Sequence, residues 1–188
     1  MEQTDYFIVL TGGPGVGKTT LLNELQKRGY RTVPEDARSI IKEQLESNGD
    51  GLPWKNKQYY ATLMLAASTN SFLQEIKERT TDPDYVFFDR GIPDTLAYIE
   101  MENLSIEESL LAEAKTHRYY KKIFILPPWQ QIYETDNERK QTWKEAEATF
   151  NQMKSVYERL GYEVVEIPKT TVEQRYQFIF EALGLTAH

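Results

Sequence analysis

The segment "GGPGVGKT" at residues 12–19 constrains this chain more than any other stretch. An apolar run, Tyr6–Leu10, leads into it, and Leu21, Leu22 and Leu25 follow it at the spacing of one helix face. The pattern G-x-x-x-x-G-K-[ST] between a strand and a helix is a phosphate cradle. Gly12, Gly13, Gly15 and Gly17, with Pro14 and Val16 between them, let the backbone point its N–H groups inward at phosphate oxygens. The helix N-terminus near Lys18 adds its dipole. Lys18 brings a mobile cation to the β- and γ-phosphates, and the Thr19 hydroxyl is placed to ligate Mg²⁺. Gly12 through Thr20 are therefore expected to hold the donor nucleotide, ATP, with Mg²⁺ as its companion.

The remainder of the chain alternates short apolar strands with longer helical stretches, the signature of a parallel sheet covered by helices. Strands are expected at 6–10, 30–33, 85–88, 122–126 and 162–167. Helices are expected at 18–27, 36–46, 55–79, 142–160 and 172–183, with residues 93–118 helical apart from a break near 103–105. Together they give an α/β, three-layer P-loop fold with five parallel strands, one domain over 1–188 and a short lid at about 133–141. The 188 residues contain no cysteine and two histidines, which removes thiolate chemistry and Cys- or His-rich metal sites. A net charge of -7 argues against general nucleic-acid or anionic-membrane binding. The start, "MEQTDYFIVL", lacks a signal-peptide pattern, and no run reaches the roughly 18 apolar residues of a membrane span. A cytoplasmic location is the expectation, and the oligomeric state has no signature in the sequence.

Signal GTPases need Asn-Lys-x-Asp and Asp-x-x-Gly. "NKQY" at 56–59 lacks the final acid, and "DRGI" at 89–92 lacks the fourth-place glycine. Oligomeric AAA+ motors add a helical lid domain and sensor arginines, for which 188 residues leave little room. A small phosphotransferase fits better, and three segments bear on it. "VPEDAR" at 33–38 ends the second strand, on the side of the sheet where ligands gather. It offers Glu35 or Asp36 as an acceptor for a hydroxyl proton and Arg38 for a phosphate. "VFFDRG" at 86–91 ends the third strand. It offers Asp89 for the metal or as an alternative base, and Arg90 to offset charge on the transferring phosphoryl group. "YETDNERKQ" at 133–141 offers Arg139, with Lys140, as a basic lid. Against each stands a plain alternative: a helix N-terminal acid pair, a strand-end ion pair, and a solvated charged turn.

The order of "GGPGVGKTT", "VPEDAR", "FFDRG", a charged segment with "ERK", and "GYEVVEIP" resembles the nucleoside- and nucleotide-kinase branch of P-loop proteins. More narrowly it is similar to small bacterial predicted ATPases carrying an AAA-domain label, relatives of the ribosylnicotinamide-kinase module. The resemblance covers about residues 6–184. It implies strand order 2-3-1-4-5, Mg-ATP as donor, Glu35 as candidate base, Asp89-Arg90 as the acid–arginine pair and Arg139 as lid arginine. Deoxynucleoside kinases show Glu-Arg-Ser where this chain has Asp89-Arg90-Gly91, so their nucleoside preference does not transfer. Trp54, Gln58, Tyr59 and Phe72 lie where such kinases receive an acceptor, although aromatics on a long helix are more often core. The ATP base is expected near the lid and "PKTT" at 168–171. "YYKK" at 119–122 reads as a surface turn. The leading expectation is an ATP- and Mg-dependent phosphotransferase acting on a nucleoside- or nucleotide-like acceptor. The alternatives are an NTPase or nucleotide-gated binding module without an acceptor, and a degenerate fold with a structural role.

Overall fold

The structure, a computed structural model, describes residues 4–78, 85–105, 107–131 and 142–185. Five strands form one parallel sheet: β1 (Phe7–Thr11), β2 (Arg31–Val33), β3 (Val86–Asp89), β4 (Lys122–Ile125) and β5 (Glu163–Glu166). Their order is β2-β3-β1-β4-β5, as the resemblance implies. Among the described residues the helices are α1 (Lys18–Lys27), α2 (Asp36–Glu46), α3 (Lys57–Glu78), α4 (Ile92–Met101), α5 (Glu108–Thr116), α6 (Trp143–Arg159) and α7 (Val172–Ala182).

The inner strands β3, β1 and β4 are near-continuous apolar runs covered on both faces, whereas the edge strands β2 and β5 expose Arg31, Glu163 and Glu166. Alternate residues of β1 divide between two cores. Ile8 and Leu10 pack with Leu21, Leu22 and Leu25 of α1 and Tyr176, Ile179 and Phe180 of α7. Phe7 and Val9 face the opposite way, onto Leu65 and Phe72 of α3, Leu96 of α4 and Val156 and Tyr157 of α6. Burying Leu21 or Leu25, both wholly inaccessible, stabilises the fold by about 2 kcal/mol each.

The pairing register sets the site. Leu10 lies opposite Asp89 on one side and Phe124 on the other, so the C-terminal ends of β1, β3 and β4 finish at one edge. The Arg90 N–H donates to the Leu10 carbonyl at 2.9 Å, which carries β3 one residue beyond the expected 85–88. Two sequence expectations fail here. Tyr119 is not on a surface turn: it is 5% exposed, its ring packs edge-on against Phe72 and Phe88, and its hydroxyl accepts from the Ile92 N–H at 3.2 Å. Phe72 is 1% exposed in the same aromatic cluster and is core rather than acceptor pocket.

Candidate functional site

The loop between β1 and α1 has the backbone that its glycines permit. Gly12 sits at φ 143°, and a Cβ there would meet the Leu126 carbonyl oxygen at 2.7 Å. Gly17 caps α1 in the left-handed region at φ 85°. Val16 anchors the loop by burying its side chain beside Leu10 and Leu126. The residues from Gly13 to Thr20 border a cleft of about 850 Å³. Glu35, Arg38 and Arg90 form another of its walls, and Trp129, Thr170, Thr171 and Arg175 close its far end.

The structure brings Lys18, Glu35, Asp89 and Arg90 together. Lys18 forms an ion pair with Asp89, both largely shielded from solvent. Burial raises the Asp89 pKa above the usual carboxylate value, and the Lys18 ammonium works against that rise. Arg90 Nε lies 2.7 Å from Glu35 Oε1, and its Nη1 lies 3.6 Å from Asp94 Oδ1. The Arg90 Nε–H is not aimed at an acceptor, so the contact with Glu35 is an ion pair and not an aligned hydrogen bond. Burial opposes the charge of Arg90, but Glu35, Asp94 and Asp89 outweigh it and raise the guanidinium pKa. Arg90 has φ 73°, a left-handed backbone that costs a side-chain-bearing residue about 1–2 kcal/mol. The strand hydrogen bond before it and the two carboxylates around its side chain hold it there.

Asp94, which sequence reasoning passed over, is the organiser of this corner. It is 4% exposed and accepts from the Thr11 hydroxyl, from the Gly91 N–H at 2.8 Å and from the Tyr157 hydroxyl at 2.6 Å. Burial drives the Tyr157 phenol well above its ordinary pKa, so it stays a donor. The available signal was the spacing: an acid three positions after a glycine that precedes a helix is a capping pattern.

Asp36 takes the plain reading. It starts α2, accepts from the Ser71 hydroxyl at 2.9 Å, and so ties α2 to α3. Arg38 is exposed on the cleft wall. Arg139 and Lys140 lie outside the described residues, as does the expected lid over 133–141.

A second cavity of about 660 Å³ opens on the other side of Glu35 and Arg90 and shares Pro14, Ala37 and Tyr60 with the first. The acceptor residues expected from sequence do not line it. Trp54 is 65% exposed, Tyr59 lies on the exposed face, and Gln58 bonds the backbone of Ser105 through both ends of its amide. The neighbouring positions Pro53, Tyr60 and Met64 line it instead, with Tyr98 and Met101 from α4 and Met153 from α6. The miss is one of helical phase: Tyr60 sits one position past Tyr59 and turns inward. Tyr60 and Tyr98 meet edge to face at 5.7 Å, and burial pushes the pKa of each up to about 12.

At the far end of the first cleft, Arg175 is 4% exposed and lies 4.7 Å over the Trp129 ring. It donates to the Thr170 carbonyl at 2.9 Å and to the Val16 carbonyl at 3.4 Å. Burial lowers its pKa. Arg175 therefore joins α7, the 168–171 segment and the phosphate loop, and no motif marked it in the sequence.

For a metal, Thr19 and Asp89 border a common hollow with Glu35 and Asp36. A hydroxyl and carboxylates are hard oxygen ligands that suit Mg²⁺, which takes its other positions from phosphate and water. Among the described residues no group of three or more His, Cys, Asp or Glu gathers to hold a metal unaided. No helix among them is long and apolar enough to cross a membrane.

Solved structures similar to this chain include the NadR protein and two kinases. A crystal structure of the NadR protein in complex with NR superimposes with a TM-score of 0.72 at 18% identity, covering 98% of this chain and 53% of that one. This chain thus spans about half the length of that protein. Thymidylate kinase from Ehrlichia chaffeensis gives a TM-score of 0.63 at 16% identity over 95% of this chain and 98% of that one. Deoxyadenosine kinase from M. mycoides gives 0.61 at 16% over 95% and 98%. These likenesses establish a kinase-like P-loop fold. No curated protein matches the chain significantly. The family model described as an AAA domain matches residues 7–175. A match over that much of the sequence makes the chain a member of this AAA-domain family, built on the kinase-like P-loop fold.

Proposed function

We propose that the protein is an ATP- and Mg²⁺-dependent phosphotransferase acting on a small nucleoside- or nucleotide-like acceptor. The observation that carries this reading is the pair of cavities meeting at Glu35 and Arg90. One is walled by the phosphate loop, and the other adjoins it across Pro14, Glu35, Ala37, Tyr60 and Arg90 and is of acceptor size. A hydrolase needs only the first.

In this reading the loop from Gly12 to Thr20 binds the triphosphate, with Lys18 leaving Asp89 for the β- and γ-phosphates. Thr19 and Asp89 would hold Mg²⁺, which when bound neutralises phosphate charge. Glu35 stands on the shared wall and takes the proton of the attacking hydroxyl. Arg90, clamped by Glu35 and Asp94, presents a preorganised cation toward the transferring group. Arg139 is proposed to add a second cation from the 133–141 segment. The ATP base lies by Thr170, Thr171 and the Trp129–Arg175 pair. The domain is taken as one unit over 1–188, working in the cytoplasm.

The test is γ-labelled ATP incubated with a pool of nucleosides, nucleotides and ribosylnicotinamide. Label appearing in an acceptor is the expected result. Label appearing only as inorganic phosphate, with the acceptor pool saturating, would overturn transfer in favour of simple hydrolysis.

A further inference from the structure

Four cations line the nucleotide cleft: Lys18, Arg38, Arg90 and Arg175. Their surroundings differ. Lys18 pairs with Asp89, Arg90 pairs with Glu35, and Arg38 is exposed to water. Arg175 has neither an acid nor water. It is 4% exposed, and among the described residues no carboxylate pairs with it. The one acid in the first turn of α7, Glu173, pairs instead with Arg28 and accepts from Gln177 at 3.1 Å. Burial lowers the Arg175 pKa with no acid to offset it, the reverse of the balance at Arg90.

An isolated cation shielded from water is costly unless opposite charge reaches it. The groups around Arg175 are all neutral. Nε donates to the Thr170 carbonyl, Nη1 donates to the Val16 carbonyl, and the guanidinium lies over the Trp129 ring. Nη2 makes no hydrogen bond among the described residues. The position matters as much as the missing charge. Val16 belongs to the phosphate loop, and Thr170 to the segment beside which the ATP base is placed. The guanidinium therefore stands between loop and base, at the ribose end of a triphosphate. Thr171 and Val172, at the start of α7, share this wall and bring the positive end of the helix dipole to it.

We propose that Arg175 is a donor-binding residue whose guanidinium supplies the countercharge to the phosphate nearest the ribose. The nucleotide in turn supplies the anion that the fold withholds from Arg175. The residue thereby selects nucleotides over nucleosides at the donor site. This inference rests on the donor-nucleotide reading of the cleft, and it is independent of the acceptor and of transfer.

The experiment measures dissociation constants of ATP, ADP and adenosine by calorimetry for the wild type, Arg175→Gln and Arg175→Lys, with thermal melting as the check on folding. Glutamine keeps donors for the two carbonyls and removes the charge, whereas lysine keeps the charge and loses the planar fork. Arg175→Gln should weaken ATP and ADP alike, by on the order of 10- to 100-fold, as expected for a hydrogen bond to a charged group. Adenosine should be little affected, and Arg175→Lys should recover most of the ATP affinity. If Arg175→Gln binds ATP as tightly as the wild type, if adenosine weakens by the same factor as ATP, or if lysine falls as far as glutamine, Arg175 only braces α7 against the loop. The proposal is then wrong while the donor site stands. If Arg175→Gln does not melt cooperatively, Arg175→Lys decides: retained ATP affinity supports the countercharge, and its loss overturns it. A wild type that binds no nucleotide sinks the donor reading, and this proposal with it.

Discussion

Gly12 and Arg90 are the two residues whose backbones are least replaceable, for opposite reasons. Gly12 has no room for a side chain: its φ of 143° excludes one, and so does the Leu126 carbonyl oxygen, 2.7 Å from where a Cβ would stand. Gly12→Ala should destabilise the fold by about 1–3 kcal/mol, read as a lower urea midpoint, and should weaken nucleotide binding in parallel. Arg90 carries its strain because the guanidinium is needed between Glu35 and Asp94. Arg90→Lys keeps the charge but loses the planar fork. It should depress phosphoryl transfer on the order of 100-fold in kcat while ATP affinity changes little. A fully active lysine variant would remove the arginine from the transfer step. Asp89→Asn is expected to spare ATP binding, measured by calorimetry without metal, and to abolish the added affinity that Mg²⁺ confers. Both acid–arginine neighbours were legible as residues in "DRG", whereas the pairing of Asp89 with Lys18 and of Arg90 with Glu35 was not. Those partners are far apart in the sequence and meet only because β1, β2 and β3 end at one edge.

Helices and strands were read with boundaries within a residue or two, because Gly, Pro and apolar period mark their ends locally. The start of α4 shows what such reading omits. Asp94 unites β1, α4 and α6 through Thr11, Gly91 and Tyr157. Tyr157→Phe removes one buried donor and should cost about 1–2 kcal/mol in chemical unfolding. The link from α2 to α3 carries a pH dependence. Burial raises the Asp36 pKa above its ordinary 3.8, against the hydrogen bond from Ser71. The folded protein therefore binds this proton more tightly than the unfolded chain. The stabilisation is fully present below pH 3.8 and is lost as pH rises through the raised value. Asp36→Asn, which still accepts from Ser71, should melt higher than the wild type at pH 7, with the margin shrinking as the solution is acidified. A constant margin across that range would show that Asp36 is not desolvated in solution.

For the molecule as a whole, the cleft between the phosphate loop and the 168–171 segment couples ligand binding to stability. A non-hydrolysable ATP analogue at 100 times its dissociation constant should stabilise the fold by about 2.7 kcal/mol, seen as a rise in melting temperature. Lys18→Ala should erase most of that rise, and the unliganded melting temperature should report separately on the loss of the Lys18–Asp89 pair.

The phosphate loop, the five-stranded α/β plan and the placing of acids at strand ends came from local pattern. The backbone chemistry of glycine, the periods of strands and helices and the parallel-sheet rule all act over short stretches of chain. The second cavity did not come from pattern, because its wall draws on α3, α4 and α6, and on which of two adjacent tyrosines, Tyr59 or Tyr60, turns inward. That choice is made by packing between elements distant in sequence. Arg175, Asp94 and Tyr98 owe their positions to the same cause: each lies on an unremarkable helix face until the opposing layer closes over it.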